Sequence, residues 1–394
     1  MSPSPEALIT AAGLAGGMAA YALFAGADFG GGIWDLLAGD NERGRQPRAA
    51  IDASVTPVWE GNHVWIVFGL VVLWTAFPAV FYAVMTALFV PLSLSLLGIV
   101  LRGVGFAFRH EAERLAMQRL SGVLFAGSSV LAPFFLGTCV GAVATGRVPP
   151  DPHGNILGAW TSPTAVVTGL LFVSCCAYIG AVYLVGDSRR RRQPDLVRYF
   201  SRRAIAAGVV SGVLAAVNMV LLHGSAPRLF HRLTGQALPL VIVSVLAGLA
   251  ALVLIVLQRT GALRVAGGLA VAAVIAAWAW AQYPYLLPPS LTLQQGSAPA
   301  ATLLSEIAVF GLAAILVAPA FTYLYWLQQT DRLQETESSH QLLEAVAQEE
   351  RADSLAAGAA PPAPGRNHPV LAGVVVVTAA GEAVRDAVRR RRRG

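Results

Sequence analysis

Three ionisable side chains lie inside long apolar segments of the sequence, where charge is costly. Asp28, Glu60 and Arg102 each interrupt a run of apolar residues. A charged group near the centre of a bilayer costs roughly 2.5–3.5 kcal/mol even on a lenient insertion scale. At that cost, two carboxyl groups and a guanidinium indicate a site for proton transfer or a buried ion pair.

Polar and aromatic residues surround one of these acids. Asn62 and His63 follow Glu60, and His63 at i+3 lies on much the same face of a helix. Trp59 and Trp65 flank the patch. We therefore expect Asn62 and Trp59 to support the site, and His63 to join Glu60 in it.

The elements that must position these groups are transmembrane helices. Of the 394 residues, 56% are hydrophobic and 13% are charged, about half the charged fraction of an ordinary soluble domain. The apolar residues form uninterrupted runs near the length that spans a bilayer, and they do not alternate with polar residues. The sequence therefore predicts an all-α integral membrane protein, and it excludes a soluble bundle and a membrane barrel.

The apolar runs between polar breaks predict about nine spans. They cover residues 8–36, 51–76, 79–108, 120–144, 163–185, 203–223, 237–257, 263–282 and 301–328. Spans one and three exceed the usual length, which predicts tilting or protrusion. Because Met1–Ile9 has no positively charged region, we expect the first run to be a helix of the mature protein and not a signal peptide.

Arginine placement predicts the orientation, because cytoplasmic loops carry an excess of cations. Arginines cluster after spans one, three, five and seven, whereas the alternate loops hold only Arg147, Arg228 and Arg232. An odd number of spans then places the N-terminus outside and the C-terminus inside. The multi-pass pattern predicts an integral membrane protein with lipid and not nucleic acid around it.

The predicted spans bring the three charged groups to one depth. A helix rises 1.5 Å per residue, which places Asp28 roughly 12 Å, Glu60 roughly 13 Å and Arg102 roughly 9 Å from the cytoplasmic helix ends. One hypothesis is a buried ion-pair network in which Arg102 holds three helices in register. The other is a proton path that opens from the cytoplasm, with Asp28 and Glu60 as relay groups. The sequence leaves both hypotheses open.

The residues offer little for a cofactor on this chain. His63 is the one clearly intramembrane histidine, and the three cysteines, Cys139, Cys175 and Cys176, lack metal-ligand spacing. We therefore predict no metal and no cofactor bound by this chain; whether quinone or lipid binds within the bundle is left open.

The last part of the chain differs in composition. Residues 1–330 are predicted to form the transmembrane domain, and residues 331–394 a largely disordered cytoplasmic tail. The tail is acidic first, then rich in Ala, Pro and Gly, and it ends in an arginine run. That run suggests an alternative role as an anchor for anionic lipid headgroups.

Several sequence elements together resemble subunit II of cytochrome bd-type quinol oxidases. They are AGADFGGG at 25–32, PVWEGNHVW at 57–65, WTAFP at 74–78, LRGVGFAFR at 101–109 and YPYLLPPS at 283–290. The resemblance implies a haem-free helical subunit bound to a haem-bearing subunit I that carries b-type and d-type haems. Together they oxidise quinol and reduce dioxygen to water in the bacterial cytoplasmic (inner) membrane; whether a small accessory subunit joins them is left open.

The resemblance also assigns roles to residues and marks departures. It associates Asp28 and Glu60 with proton delivery, with Glu60 in place of a more usual Asp. The family often has acids where this chain has Ala25 and Ala107, and Glu or Gln where it has His63. Loss of an acid at Ala107 removes a group that would take up protons from the cytoplasm, so the path here would start elsewhere or be weaker.

Two functions from other classes remain as alternatives on sequence grounds. One is a proton-coupled secondary transporter that uses Asp28 and Glu60, although no clear inverted repeat is found. The other is a purely structural assembly subunit, for which the charged layer is an ion-pair clamp.

Overall fold

The structure is a computed structural model that describes residues 3–39, 42–55, 59–111, 115–151, 156–259 and 261–329. The chain divides into two units, Met1–Ile315 and Leu316–Gly394. The predicted cytoplasmic tail, residues 331–394, lies outside the described residues. The candidate site is in the first unit.

Within the described ranges, the chain is helical apart from one small hairpin. The helices are α1 (Pro5–Ala38), α2 (Glu42–Val55), α3 (Trp59–Ala76), α4 (Pro78–Ala87), α5 (Phe89–Glu111), α6 (Leu115–Ala144), α7 (Ile156–Trp160), α8 (Pro163–Arg190), α9 (Pro194–Ser225), α10 (Pro227–Thr234), α11 (Leu238–Val256), α12 (Leu263–Gln282), α13 (Leu293–Gly296) and α14 (Ala300–Gln329). The hairpin pairs β1 (Tyr285–Leu287) with β2 (Leu291–Thr292) in antiparallel fashion.

Seven of the described helices are long and apolar enough to cross a membrane, and one bent pair brings the number to eight. The apolar part of α3, Gly61–Ala76, is shorter than these. The prediction of a membrane protein built of helices is therefore confirmed. The count of nine spans and the orientation of the termini stay predictions.

The predicted span 79–108 is not one straight helix. It consists of α4 and the greater part of α5, and the two helices meet at a bend of 84° around Leu88. Pro91 explains the break, because it lacks the N–H that would donate to the carbonyl of Ala87 one turn earlier. The ladder resumes at once, since Leu92 N donates to Leu88 O over 3.0 Å.

Helix α1 is the central element of the first unit and packs against α3, α6 and α8. Its closest approach is to α8, where Gly30 faces Gly180. A Cβ on Gly180 would lie 2.7 Å from the Cα of Gly30, which is too close for two carbon atoms that are not bonded. Small residues permit this approach, as they do between helices in membranes generally. Trp34 reinforces the contact by donating from Nε1 to the carbonyl of Ala177 over 2.7 Å.

The segment that follows α12 holds α1 and α3 together at their far ends. The backbone N–H of Ser4 donates to Gln294 Oε1 over 2.8 Å, and Ala298 N donates to Ala76 O over 2.8 Å. Because Ser4 precedes α1 and Ala76 ends α3, these bonds hold the two helices in register along their length. The polar residues of both helices are positioned by that register.

Candidate functional site

A buried carboxyl group and a buried amide meet between α1 and α3. Asp28 on α1 is 4% exposed and Asn62 on α3 is 2% exposed. Asn62 donates from Nδ2 to Asp28 Oδ2 over 2.5 Å. A buried carboxylate is costly unless hydrogen bonds replace its water, and this amide supplies one of them.

Arg102 of α5 lies beside the same acid and is 1% exposed. Its Nη2 donates to the backbone carbonyl of Asp28 over 2.8 Å, and its Nη1 donates to Ser129 Oγ on α6. The guanidinium also lies over the rings of Phe125 and Phe29, 4.4 and 5.3 Å from their centroids. Arg102 therefore holds α1 against α6 through hydrogen bonds and ring contacts.

A glycine on α1 makes room for this arrangement. A Cβ on Gly32 would collide with Ser129 and would come within 2.8 Å of Arg102 Nη1. The glycine-rich run 30–32 therefore permits two close contacts. Gly30 allows α8 to approach α1, and Gly32 leaves room for the side chains of Arg102 and Ser129.

We expect Arg102→Lys to destabilise the protein by about 1.5 kcal/mol, a typical value for one hydrogen bond from a charged group. A lysine ammonium cannot reproduce the planar fork that reaches the carbonyl of Asp28 and Ser129 together. Thermal unfolding of the detergent-solubilised protein measures the effect. The matched control is Arg198→Lys at a surface pair with Asp195, where both side chains are well exposed. Equal stability of the two variants would contradict the role assigned to the two hydrogen bonds of the Arg102 guanidinium.

Aromatic rings enclose His63 on the other side of Asp28. The His63 ring lies edge-on to Tyr21 and Phe29, with centroids 6.2 and 5.9 Å away. Tyr21 is 2% exposed, and its hydroxyl has no hydrogen-bond partner within the described part of the chain. The region around Asp28 thus combines aromatic rings with polar atoms from four helices.

The structure brings together four of the six residues selected from the sequence. Asp28, Asn62, His63 and Arg102 lie in one neighbourhood formed by α1, α3 and α5. Trp59 and Glu60 begin α3, but their side chains are outside the described residues. The role of Glu60 in the charged layer therefore stays a prediction.

Sequence reasoning missed Asp35, which is 2% exposed in the last turn of α1. Its Oδ1 lies 3.8 Å from Arg48 Nε on α2. The signal in the sequence was the seven-residue spacing from Asp28, which places both acids on one face of a helix.

Ser129 was also missed, because a serine in an apolar run is common and nothing in its own segment points to a partner on α5.

A second missed acid lies in α14. Glu306 falls inside the predicted span 301–328, and its Oε2 accepts a hydrogen bond of 2.8 Å from Thr75 Oγ1 on α3. Thr75 belongs to the last turn of α3. The pair is therefore far along α3 from Asn62 and separate from the Asp28 neighbourhood.

His63 is the potential haem ligand beside Asp28, and its ring packs edge-on against the rings of Tyr21 and Phe29. On the opposite side, Cys176 packs directly against α1, since a Cβ on Gly26 would lie 3.6 Å from its Sγ. The described residues also contain no group of three or more His, Cys, Asp or Glu that could hold a metal ion.

Comparison with known proteins gives one consistent family. A family model described as cytochrome bd terminal oxidase subunit II matches residues 7–328. A Bacillus subtilis (strain 168) protein described as subunit II of a cytochrome bd menaquinol oxidase is 25% identical over 345 residues, 84% of this chain and 98% of that protein. Subunit 2 of a cytochrome bd ubiquinol oxidase from the same organism is 26% identical over 245 residues, 60% and 68% of the two chains.

A solved structure shares the fold. A chain of the bd oxidase from Geobacillus thermodenitrificans superposes with a TM-score of 0.66 and is 22% identical. The match covers 82% of this chain and 98% of that chain. The helical fold described above is therefore shared with a chain of that oxidase.

Proposed function

The chain belongs to the cytochrome bd terminal oxidase subunit II family, and we propose that it is the haem-free subunit of such an oxidase in the bacterial cytoplasmic membrane. Its partner is a haem-bearing subunit I with b-type and d-type haems, where quinol is oxidised and dioxygen is reduced to water. A small accessory subunit completes the complex in some members. The match over most of the chain supports this assignment.

We further propose that this subunit carries protons from the cytoplasm toward the site of oxygen reduction. The observation that carries this proposal is the Asp28 neighbourhood, where a buried carboxyl group accepts from Asn62 and lies beside Arg102. Reduction of dioxygen to water consumes protons, and a carboxyl group that can gain and lose a proton inside the membrane can supply them. Asn62 and Arg102 stabilise the carboxylate between transfers, while Glu60 and His63 extend the path along α3.

Purification tests the subunit assignment. A tagged copy of this chain is produced in membranes that also contain the native respiratory proteins, and it is purified in mild detergent. We expect it to bring a haem-bearing partner in equal amount, with the optical absorption of b-type and d-type haems and with quinol-dependent oxygen consumption.

The control is the same chain produced in a host without the partner, for which we expect no haem absorption. Recovery of the intact, folded chain from its native membranes without any haem protein would contradict the assignment.

A purely structural role for the same residues is the second candidate. The observation that favours it is that Arg102 donates to the backbone carbonyl of Asp28 and not to its carboxylate. Such a bond joins α5 to α1 whether or not Asp28 changes its protonation state. The two candidates differ in the turnover they predict for an assembled complex that carries Asp28→Asn.

A further inference from the structure

We propose that Asp35 is the first proton acceptor on the inner side of the Asp28 site, with Arg48 as the residue that connects it to the surface. This inference rests on the proposed function, since it names where the proton path begins. Nothing in the sequence elements shared with the family singles out Asp35.

The burial of Asp35 is unusual for its position. It lies in the last turn of α1, where the next two residues, Leu36 and Leu37, are 45% and 59% exposed. Asp35 itself is 2% exposed. An acid at a helix end can face water at little cost, so an inward carboxyl group at this place requires a compensating partner.

Arg48 is one such partner, and its side chain extends to the surface. Its Nε lies 3.8 Å from Asp35 Oδ1, and its side chain is 30% exposed against 2% for the acid. The pair thus has one buried end and one end at the surface. The arginine pattern predicts that this end of α1 is on the cytoplasmic side, and the exposed end would then face the compartment from which protons come.

Asp35 is also aligned with Asp28. Seven residues make nearly two helical turns, so the two acids lie within about 20° of each other around α1 and roughly 10 Å apart along it. Arg102 lies along the stretch of α1 between them, because its Nη2 donates to the carbonyl of Asp28 and its Nη1 would come within 2.8 Å of a Cβ on Gly32. The two acids and the arginine therefore form one polar line on the buried face of α1.

A buried N–H of Arg102 is available to bind a water molecule. Arg102 Nε is buried and has no hydrogen-bond partner within the described part of the chain, although both of its Nη atoms donate. A buried donor of this kind is commonly satisfied by an internal water that bonds two to four polar atoms. Water molecules held by Arg102 Nε and the two carboxyl groups would bridge a distance that neither acid spans alone.

The transfer itself needs only carboxyl groups and water. A cytoplasmic water cluster gives a proton to the Asp35 carboxylate, so that an O–H bond forms on Asp35 as one breaks in the cluster. Neutral Asp35 then gives this proton to the bridging water, which passes one of its own protons to the Asp28 carboxylate. Asp35 returns to its charged form beside Arg48, and no electron is transferred. Asp35 thereby supplies on α1 the acid that Ala107 does not supply on α5.

The test uses the purified complex with its haem-bearing partner. We expect Asp35→Asn to slow quinol-dependent oxygen consumption about 100-fold, the lower bound of what a proton-transfer group contributes. Asp35→Glu is expected to retain most of the activity. A small weak acid such as formate should restore activity to Asp35→Asn by carrying protons past the missing carboxyl group, which a merely structural role of Asp35 does not predict. Asp195→Asn, at an exposed acid, is the matched control.

The outcomes separate this inference from the function on which it rests. If Asp28→Asn slows turnover while Asp35→Asn leaves it native and independent of formate, only the role of Asp35 is overturned. Native turnover of both variants overturns the proton path as well. If Asp35→Asn fails to assemble, Arg48→Gln decides, since it keeps the acid and removes its link to the surface. We then expect slower turnover that formate restores, and native turnover of Arg48→Gln would overturn the proposal.

Discussion

Asp28→Asn is expected to slow oxygen reduction by the assembled oxidase about 100-fold, the lower bound of what a well-placed proton-transfer group contributes. Asparagine has nearly the size of aspartate, and its side-chain oxygen can still accept the hydrogen bond that Asn62 donates to Asp28. The packing is therefore kept, while the group can no longer take up and release a proton. Oxygen consumption with saturating quinol, measured on the purified complex, gives the result.

The optical spectrum and the control variant identify the cause. Unchanged haem absorption shows that the partner subunit is assembled and loaded. Asp195→Asn makes the same chemical change at an acid that is 79% exposed and paired with Arg198, so we expect it to leave turnover unchanged. Native turnover of assembled Asp28→Asn would contradict the relay and favour the structural role of the Arg102 contacts.

Gly30→Ala is expected to reduce the stability of the protein by about 3 kcal/mol, the upper part of the range for overpacking a filled core. A Cβ on Gly30 would collide with the backbone carbonyl of Cys176 and would lie 2.9 Å from the Cα of Gly180. Both are main-chain atoms of α8, which cannot rotate aside as a side chain can. Helices α1 and α8 must therefore separate, which also disturbs the bond from Trp34 to Ala177.

The matched control lies one turn earlier on the same face. A Cβ on Gly26 would meet Cys176 Sγ at 3.6 Å, an ordinary van der Waals contact. We expect Gly26→Ala to be close to neutral, since the added methyl group fits and alanine also favours the helix. Thermal unfolding in detergent compares the two variants. Equal stability would show that the approach of Gly30 to Gly180 is not needed to hold α1 against α8.

Much of this protein follows from its sequence because the relevant forces are local. A run of about 20 apolar residues partitions into a bilayer as a helix wherever its neighbours lie. The membrane class and most helices could therefore be predicted, and the resemblance to subunit II carried by segments such as 25–32 and 57–65 is confirmed. The choice of Asp28 and Arg102 followed from the cost of charge inside such runs, and depth along each helix placed them in one layer.

The tertiary structure decided which atoms meet. Depth follows from counting residues, but the direction a side chain faces depends on how helices distant in the sequence cross. Arg102 reaches the carbonyl of Asp28 and Ser129, and Asp35 turns toward Arg48, only because α1, α2, α5 and α6 adopt particular rotations. The bend at Leu88 also sets the direction in which α5 continues from α4. Local hydropathy carries no information on these angles, since packing between helices sets them after each helix has formed.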